Sequence, residues 1–115
     1  MPTYVSLSDK GGLASEIYFA TIEGLKILEK GGNAFDAAIT VSSVLSVLMP
    51  YMASIGGDGF LLAVDNGTNL VAYNGSGRSP REFPVDDYLA EKPLIGPLTV
   101  TVPGLVDLWE WVNEN

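Results

Sequence analysis

The sequence predicts an α+β domain: two main helices followed by an antiparallel hairpin. Three observations carry that expectation. Two segments with helically spaced apolar residues flank Gly31-Gly32-Asn33, a stop signal joined to a start signal. Two short apolar runs, 60–64 and 70–73, flank Asp65-Asn66-Gly67-Thr68-Asn69, which reads as a hairpin turn. The 115 residues are 47% hydrophobic and 17% charged, the balance of a folded chain, and that length leaves room for one modest domain. No internal repeat and no linker divides it, so residues 1–115 are read as a single domain.

In chain order, residues 3–7 read as a short opening strand, and Asp9-Lys10-Gly11-Gly12 as a turn. The first helix is expected over 14–30. Ser15 is placed to cap it or to lie in its first turn, with Glu16 near the positive helix end. Ile17, Ala20, Gly24, Ile27 and Leu28 share one face. Lys26 and Lys30 complement the last turn, and Gly31-Gly32 stops the helix. Asn33 is placed to cap a second helix over 34–49, with Asp36 near its third position and Pro50 ending it. This helix is apolar or small almost all round, so burial on most sides is expected. Its row Ala34, Ala38, Ser42 and Ser46 would admit another backbone closely.

Residues 51–59 then form a loop ending in Ile55-Gly56-Gly57-Asp58-Gly59. A buried strand over 60–64 and a returning strand over 70–73 follow. Residues 74–84 read as loop, 85–91 as a short helix, and 98–102 as a strand or an extended segment. Pro103-Gly104 turns the chain into a final amphipathic helix over 105–112, with Leu105, Leu108, Trp109 and Val112 on one face.

Composition excludes several functions. The net charge of −8, with six scattered basic residues, repels a phosphate backbone, so no nucleic-acid partner is expected. The chain has no cysteine and no histidine, so it holds no disulfide, no cysteine nucleophile and no Ser-His-Asp triad. Zinc would need an all-carboxylate site, which is unusual for that metal. The apolar run at 34–49 is shorter than the roughly 20 residues a membrane span needs, so no span is expected. No signal peptide is visible, so a cytoplasmic location is expected; a secreted or periplasmic one follows if the natural N-terminus lies upstream.

Two loops carry candidate chemistry. The glycines at 55–59 could cradle an oxyanion or a phosphate. They match neither nucleotide-binding fingerprint, and they precede a strand instead of opening a helix. The structural alternative is a close backbone crossing against the small-residue helix. Arg78 lies in a glycine-flanked loop after the second strand, where its guanidinium could fork onto a substrate carboxylate. The alternative is a surface arginine paired with an acidic neighbour. Arg81, with Glu82 beside it, competes for the same role. Asp58 and Asp65 lack calcium-loop spacing, and no metal ligand is assigned. Asn66-Gly67-Thr68 and Asn74-Gly75-Ser76 match the glycosylation pattern and are read as turn chemistry. No nucleophile, base and oxyanion hole come together, so no catalytic residue is assigned.

Three ordered stretches go further. The first is Leu13-Ala14-Ser15-Glu16, then Gly24-Leu25-Lys26-Ile27-Leu28 and Gly31-Gly32-Asn33-Ala34-Phe35-Asp36-Ala37-Ala38. The second is Ile55-Gly56-Gly57-Asp58-Gly59-Phe60-Leu61-Leu62. The third runs from Tyr73 to Pro80, with Val100-Thr101-Val102-Pro103-Gly104 later. Together they resemble the start of the large subunit of gamma-glutamyltranspeptidases, over about residues 10–110. Two departures stand out. Arg78 is followed by Ser79-Pro80 where many members read Arg-Glu-x-Ala-Pro, and the loop reads Gly-Gly-Asp-Gly where Gly-Gly-Gly-Gly is commoner.

The resemblance implies a fragment of the αββα sandwich of N-terminal nucleophile (Ntn) hydrolases. It implies a self-cleaving proenzyme whose exposed threonine is nucleophile and, through its own amine, general base. The implied substrates are the gamma-glutamyl group of glutathione and related amides, and no metal or organic cofactor is needed. Arg78 is the implied holder of the substrate's α-carboxylate. Thr3, Thr21, Thr40, Thr68, Thr99 and Thr101 all fall outside the threonine motif. The nucleophile is therefore expected on the remaining chain or a partner subunit, and the isolated chain is expected to be inactive. The alternative is a non-catalytic, truncated module that keeps the scaffold for binding or interaction.

Overall fold

The computed structural model describes residues 9–65 and 67–115; the strand expected over 3–7 lies outside them. The chain forms two compact units, one ending at Pro50 and one comprising Tyr51–Asn115.

The first unit is a helix pair, α1 (Tyr18–Glu29) and α2 (Ala34–Leu48). α1 begins at Tyr18, not at Ala14, because Ile17 is extended, with φ −108° and ψ 122°. Ser15 therefore does not cap it. Its hydroxyl instead bonds the Ile17 carbonyl at 3.0 Å and the Thr21 hydroxyl at 2.7 Å, bracing the chain just before the first turn. The stop is a Schellman motif. Gly32 N donates to Ile27 O at 3.0 Å and Gly31 N to Leu28 O at 3.1 Å, with Gly31 at φ 92°. α2 opens with a reciprocal capping box. Asn33 Oδ1 accepts from the amides of Phe35 and Asp36, and Asp36 Oδ2 accepts from Asn33 N at 2.9 Å. The hydroxyls of Thr40, Ser43 and Ser46 each bond the carbonyl four residues back, which satisfies them inside an apolar helix.

Among the described residues, Ala20, Ala37 and Met49 are the buried apolar side chains here. The close approach expected on the row Ala34, Ala38, Ser42 and Ser46 is made elsewhere. A Cβ on Gly24 would sit 2.7 Å from both Leu13 Cδ1 and Val41 Cγ2, so it is α1 that thins to admit α2. Ala34 and Ala38 are exposed, as are Val47 and Leu48. Burial of α2 on most sides is thus not seen, because one helix partner covers only one stripe.

The second unit holds β1 (Gly59–Asp65) and β2 (Asn69–Gly75), paired antiparallel from Gly59↔Gly75 to Asp65↔Asn69. Leu61, Ala63, Val71 and Tyr73 face the covered side. Phe60 and Leu62 are 73% and 72% exposed on the other, beside Val64 and Leu70. β1 is therefore buried on one face, not on both, since among the described residues one helix packs on the hairpin. That helix is α4 (Leu105–Glu114), with Leu105, Leu108 and Val112 buried. Each such burial contributes about 1.5–3 kcal/mol. The paired glycines make the seat. A Cβ on Gly59 would lie 2.7 Å from Leu105 Cδ1, and one on Gly75 would lie 3.1 Å from Leu108 Cβ.

Between hairpin and α4 the chain forms α3 (Val85–Glu91), as expected, and a 3-10 turn at Pro97–Thr99. The turn corrects the extended reading of Leu98 and Thr99: Thr99 N closes onto Gly96 O at 3.0 Å, with Pro97 leading the turn. Extension resumes at Val100, with φ −92° and ψ 127°.

Candidate functional site

Arg78 emerges where β2 ends. Asn74 Oδ1 accepts from Ser76 N at 2.9 Å, so the Asn-Gly-Ser sequence does form a turn. The next two residues are fixed by segments distant in sequence. Gly77 N donates to Asp58 Oδ1 at 3.0 Å, and Arg78 O accepts from Val102 N at 2.9 Å. Gly77 has no room for a side chain, because a Cβ would fall 1.5 Å from the Val102 carbonyl oxygen. The Thr101 hydroxyl donates to Asp58, lying 2.8 Å from Oδ2 and 3.0 Å from Oδ1. Asp58 thus joins the glycine loop, the arginine loop and the segment before α4.

The Arg78 side chain is exposed on a cleft of about 800 Å³. Arg81, Tyr73 and Asp107 also line it. Among the described residues no carboxylate pairs with the guanidinium of Arg78 or Arg81. Both cations are therefore available to an anion from outside, and Arg78 has the better-held backbone. A guanidinium forking onto a carboxylate makes two parallel charge-assisted bonds, which also fixes the ligand's orientation.

The cleft lining also carries a group that sequence reasoning missed. The Tyr73 phenol donates to Asp107 Oδ2, and its ring lies 5.0 Å from that of Trp111. That hydrogen bond holds the phenol above its ordinary value, helped by partial desolvation and by the charges of Asp107 and Glu110. Tyr73 is thus a protonated donor at neutral pH. Asp107 and Trp111 are four residues apart on α4, so helical spacing was the available signal; reading α4 through Trp109 left it unused.

The glycine loop does not offer a free oxyanion cradle. Gly56 N donates to Ser54 Oγ and Gly57 N to Ser54 O. The Gly57 carbonyl accepts from Gly104 N at 3.1 Å and Leu105 N at 3.0 Å, satisfying the first amides of α4, which has no side-chain cap. The loop's close crossing is thus made with the start of α4. Both Asp58 oxygens already accept hydrogen bonds within the fold.

Comparison with known proteins agrees with this architecture. The sequence model of the family "Gamma-glutamyltranspeptidase" matches residues 20–115. The chain is 44% identical over 113 residues to the glutathione hydrolase-like YwrD proenzyme of Bacillus subtilis, covering 95% of the chain and 22% of that protein. It is 30% identical over 107 residues to the oxamate amidohydrolase proenzyme of Klebsiella pneumoniae, covering 90% of the chain and 20% of that protein. The chain therefore spans about a fifth of the length of these curated relatives. Among solved structures it superposes on Helicobacter pylori gamma-glutamyltranspeptidase with a TM-score of 0.84 and 28% identity, over 96% of this chain and 34% of that one. The helix pair and the antiparallel hairpin are thus a fragment of that α+β fold. By the family match over residues 20–115 and by the close identity of a proenzyme relative, this chain belongs to the gamma-glutamyltranspeptidase family, within the Ntn hydrolases.

Proposed function

We propose that these residues are the N-terminal portion of an enzyme that cleaves or transfers the acyl group of a carboxylate-bearing amide. The gamma-glutamyl group of glutathione and related amides is the leading class. In this reading Arg78 holds the substrate's α-carboxylate, and both compact units belong to one sandwich domain that the remaining chain or subunit completes. The observation that carries it is the exposed, unpaired Arg78 guanidinium on a cleft, carried by a backbone tied on both sides. The relatives' names support the coarse substrate class: glutathione and oxamate are both amides that carry a carboxylate.

The remaining chain supplies the threonine. Its hydroxyl attacks the amide carbonyl while its own amine takes the proton. The proton then passes to the leaving amine, and water or an acceptor amine resolves the acyl-enzyme. Arg78 orients the acyl group for that attack without touching the reacting carbon. This chemistry calls on no metal or organic cofactor. The exposed face of Phe60, Leu62, Val64 and Leu70 supports a completed sandwich, since an apolar sheet face of this kind ordinarily packs against a second layer.

The test is Arg78→Lys in the full-length protein containing these residues, assayed with a chromogenic gamma-glutamyl anilide. Lysine keeps the charge but cannot fork. We expect kcat/KM to fall at least about tenfold, or roughly 1.4 kcal/mol. A change under about threefold, or no turnover by the parent protein, rejects the reading.

A further inference from the structure

We infer that Asp58 is a positioning residue for the anion site: its carboxylate sets the Arg78 loop in the orientation that binds a substrate carboxylate. This rests on the reading of Arg78 above and goes beyond it by naming what holds that arginine. Asp58 is the residue between Gly57 and Gly59, at the end of the glycine loop and immediately before β1. What that side chain does is visible. Oδ1 takes the amide of Gly77, the residue immediately before Arg78, at 3.0 Å. Oδ2 takes the Thr101 hydroxyl at 2.8 Å, and the neighbouring residue Val102 donates its amide to the Arg78 carbonyl at 2.9 Å. The peptide carrying Arg78 is therefore gripped on its N-terminal side by Asp58 and on its C-terminal side by Val102. Thr101 ties the two grips together.

The orientation matters because a bidentate fork tolerates little misplacement. Functional groups must be held within about 0.5 Å of productive geometry, and an error of about 1 Å can lower a rate about a hundredfold. Nothing else among the described residues fixes the Gly77 amide. Removing the Asp58 carboxylate frees that amide and the Thr101 hydroxyl together. Beyond the local Asn74–Ser76 turn, the Arg78 loop then keeps the Val102 bond, about which it can pivot.

The experiment uses the full-length protein and two substrates, a gamma-glutamyl anilide and its α-methyl ester, which cannot accept the fork. Asp58→Ala should raise KM for the acid about tenfold, leave kcat within about twofold and leave the ester unaffected. Asp58→Asn retains an oxygen for the Gly77 amide and should restore KM to within about threefold. In the Arg78→Lys background Asp58→Ala should add less than about twofold, because the two act on one contact. Thr101→Val gives a milder version of the same selective rise and serves if Asp58→Ala does not fold. Loss of acid and ester activity in equal measure would make Asp58 a general stability element and overturn the inference. So would a full Asp58→Ala effect in the Arg78→Lys background, or no effect on KM. If Arg78→Lys leaves the acid-to-ester preference unchanged, the arginine reading falls and this inference falls with it. If Arg78→Lys removes that preference while the Asp58 and Thr101 variants keep it, this inference falls alone.

Discussion

Within itself, each compact unit is shaped by a different kind of contact. In the unit ending at Pro50, the bonds that shape the chain are local. The Schellman motif and the Asn33–Asp36 capping box both close within five residues, and the hydroxyls on α2 reach back four. In the unit Tyr51–Asn115, the shaping bonds are long: Asp58 to Gly77 spans 19 residues, Asp58 to Thr101 spans 43, and Tyr73 to Asp107 spans 34. Local rules therefore build a helix pair whose failure modes are graded. Long crossings build a cleft in which one wrong atom disturbs several segments.

The largest expected effect lies in the second unit. Gly77→Ala places a Cβ 1.5 Å from Val102 O and 2.6 Å from its carbonyl carbon, both backbone atoms that cannot swing aside. The strand-like pairing of Arg78 with Val102 must open. We expect a loss of about 3 kcal/mol or more in denaturant unfolding, together with loss of carboxylate binding. A protein that stayed within about 1 kcal/mol of the parent would show that this crossing is soft, and the contrast between the units would collapse.

The same contrast explains what could be read from the sequence. The helix stop at Gly31-Gly32, the cap at Asn33 and the hairpin around Gly67 are short-range signals, and each is found where expected. Ser15 neither caps α1 nor lies in its first turn, because the extended backbone of Ile17, not a side chain, sets the start of the helix. The burial of α2 and of the β1 outer face was overestimated for one reason. Periodicity says which face is apolar, not whether a covering layer is present. Arg78 was legible as a loop cation after a strand. Its fastening was not, because nothing local links Asp58 to Gly77 or Thr101. The departure from an all-glycine loop was visible at Asp58, but its partners appear only once the chain crosses itself. Tyr73 and Asp107 were hidden by the same kind of distance.

A middling effect is expected in the first unit. Asn33→Ala removes the oxygen that accepts from Phe35 N at 2.8 Å and Asp36 N at 3.0 Å, leaving two amides at the start of α2 to water. Loss of such a cap costs about 1 kcal/mol. Stability should fall by that amount while KM for the gamma-glutamyl anilide stays within about twofold. A selective KM change would mean that the helix pair shapes the carboxylate site directly, and the division between a graded scaffold and a brittle cleft would have to be redrawn.

The smallest effect is a pH dependence. Tyr73 holds its proton more tightly in the folded protein than in the unfolded chain, first because it donates to Asp107 and then through desolvation and the charges of Asp107 and Glu110. A raised folded value means that the folded state favours the protonated phenol. Its contribution is fully present below the unfolded value near 10 and is lost as pH rises through the folded value. Unfolding midpoints measured from about pH 8 to about pH 11.5 should fall more steeply above pH 10 in the parent than in Tyr73→Phe. Phenylalanine keeps the ring against Trp111 and has no proton to lose. Parallel slopes would mean that the Tyr73–Asp107 bond is not maintained in solution. The cleft wall would then rest on ring packing alone, leaving Asp58 as the side chain through which the cleft unit is fastened across its length.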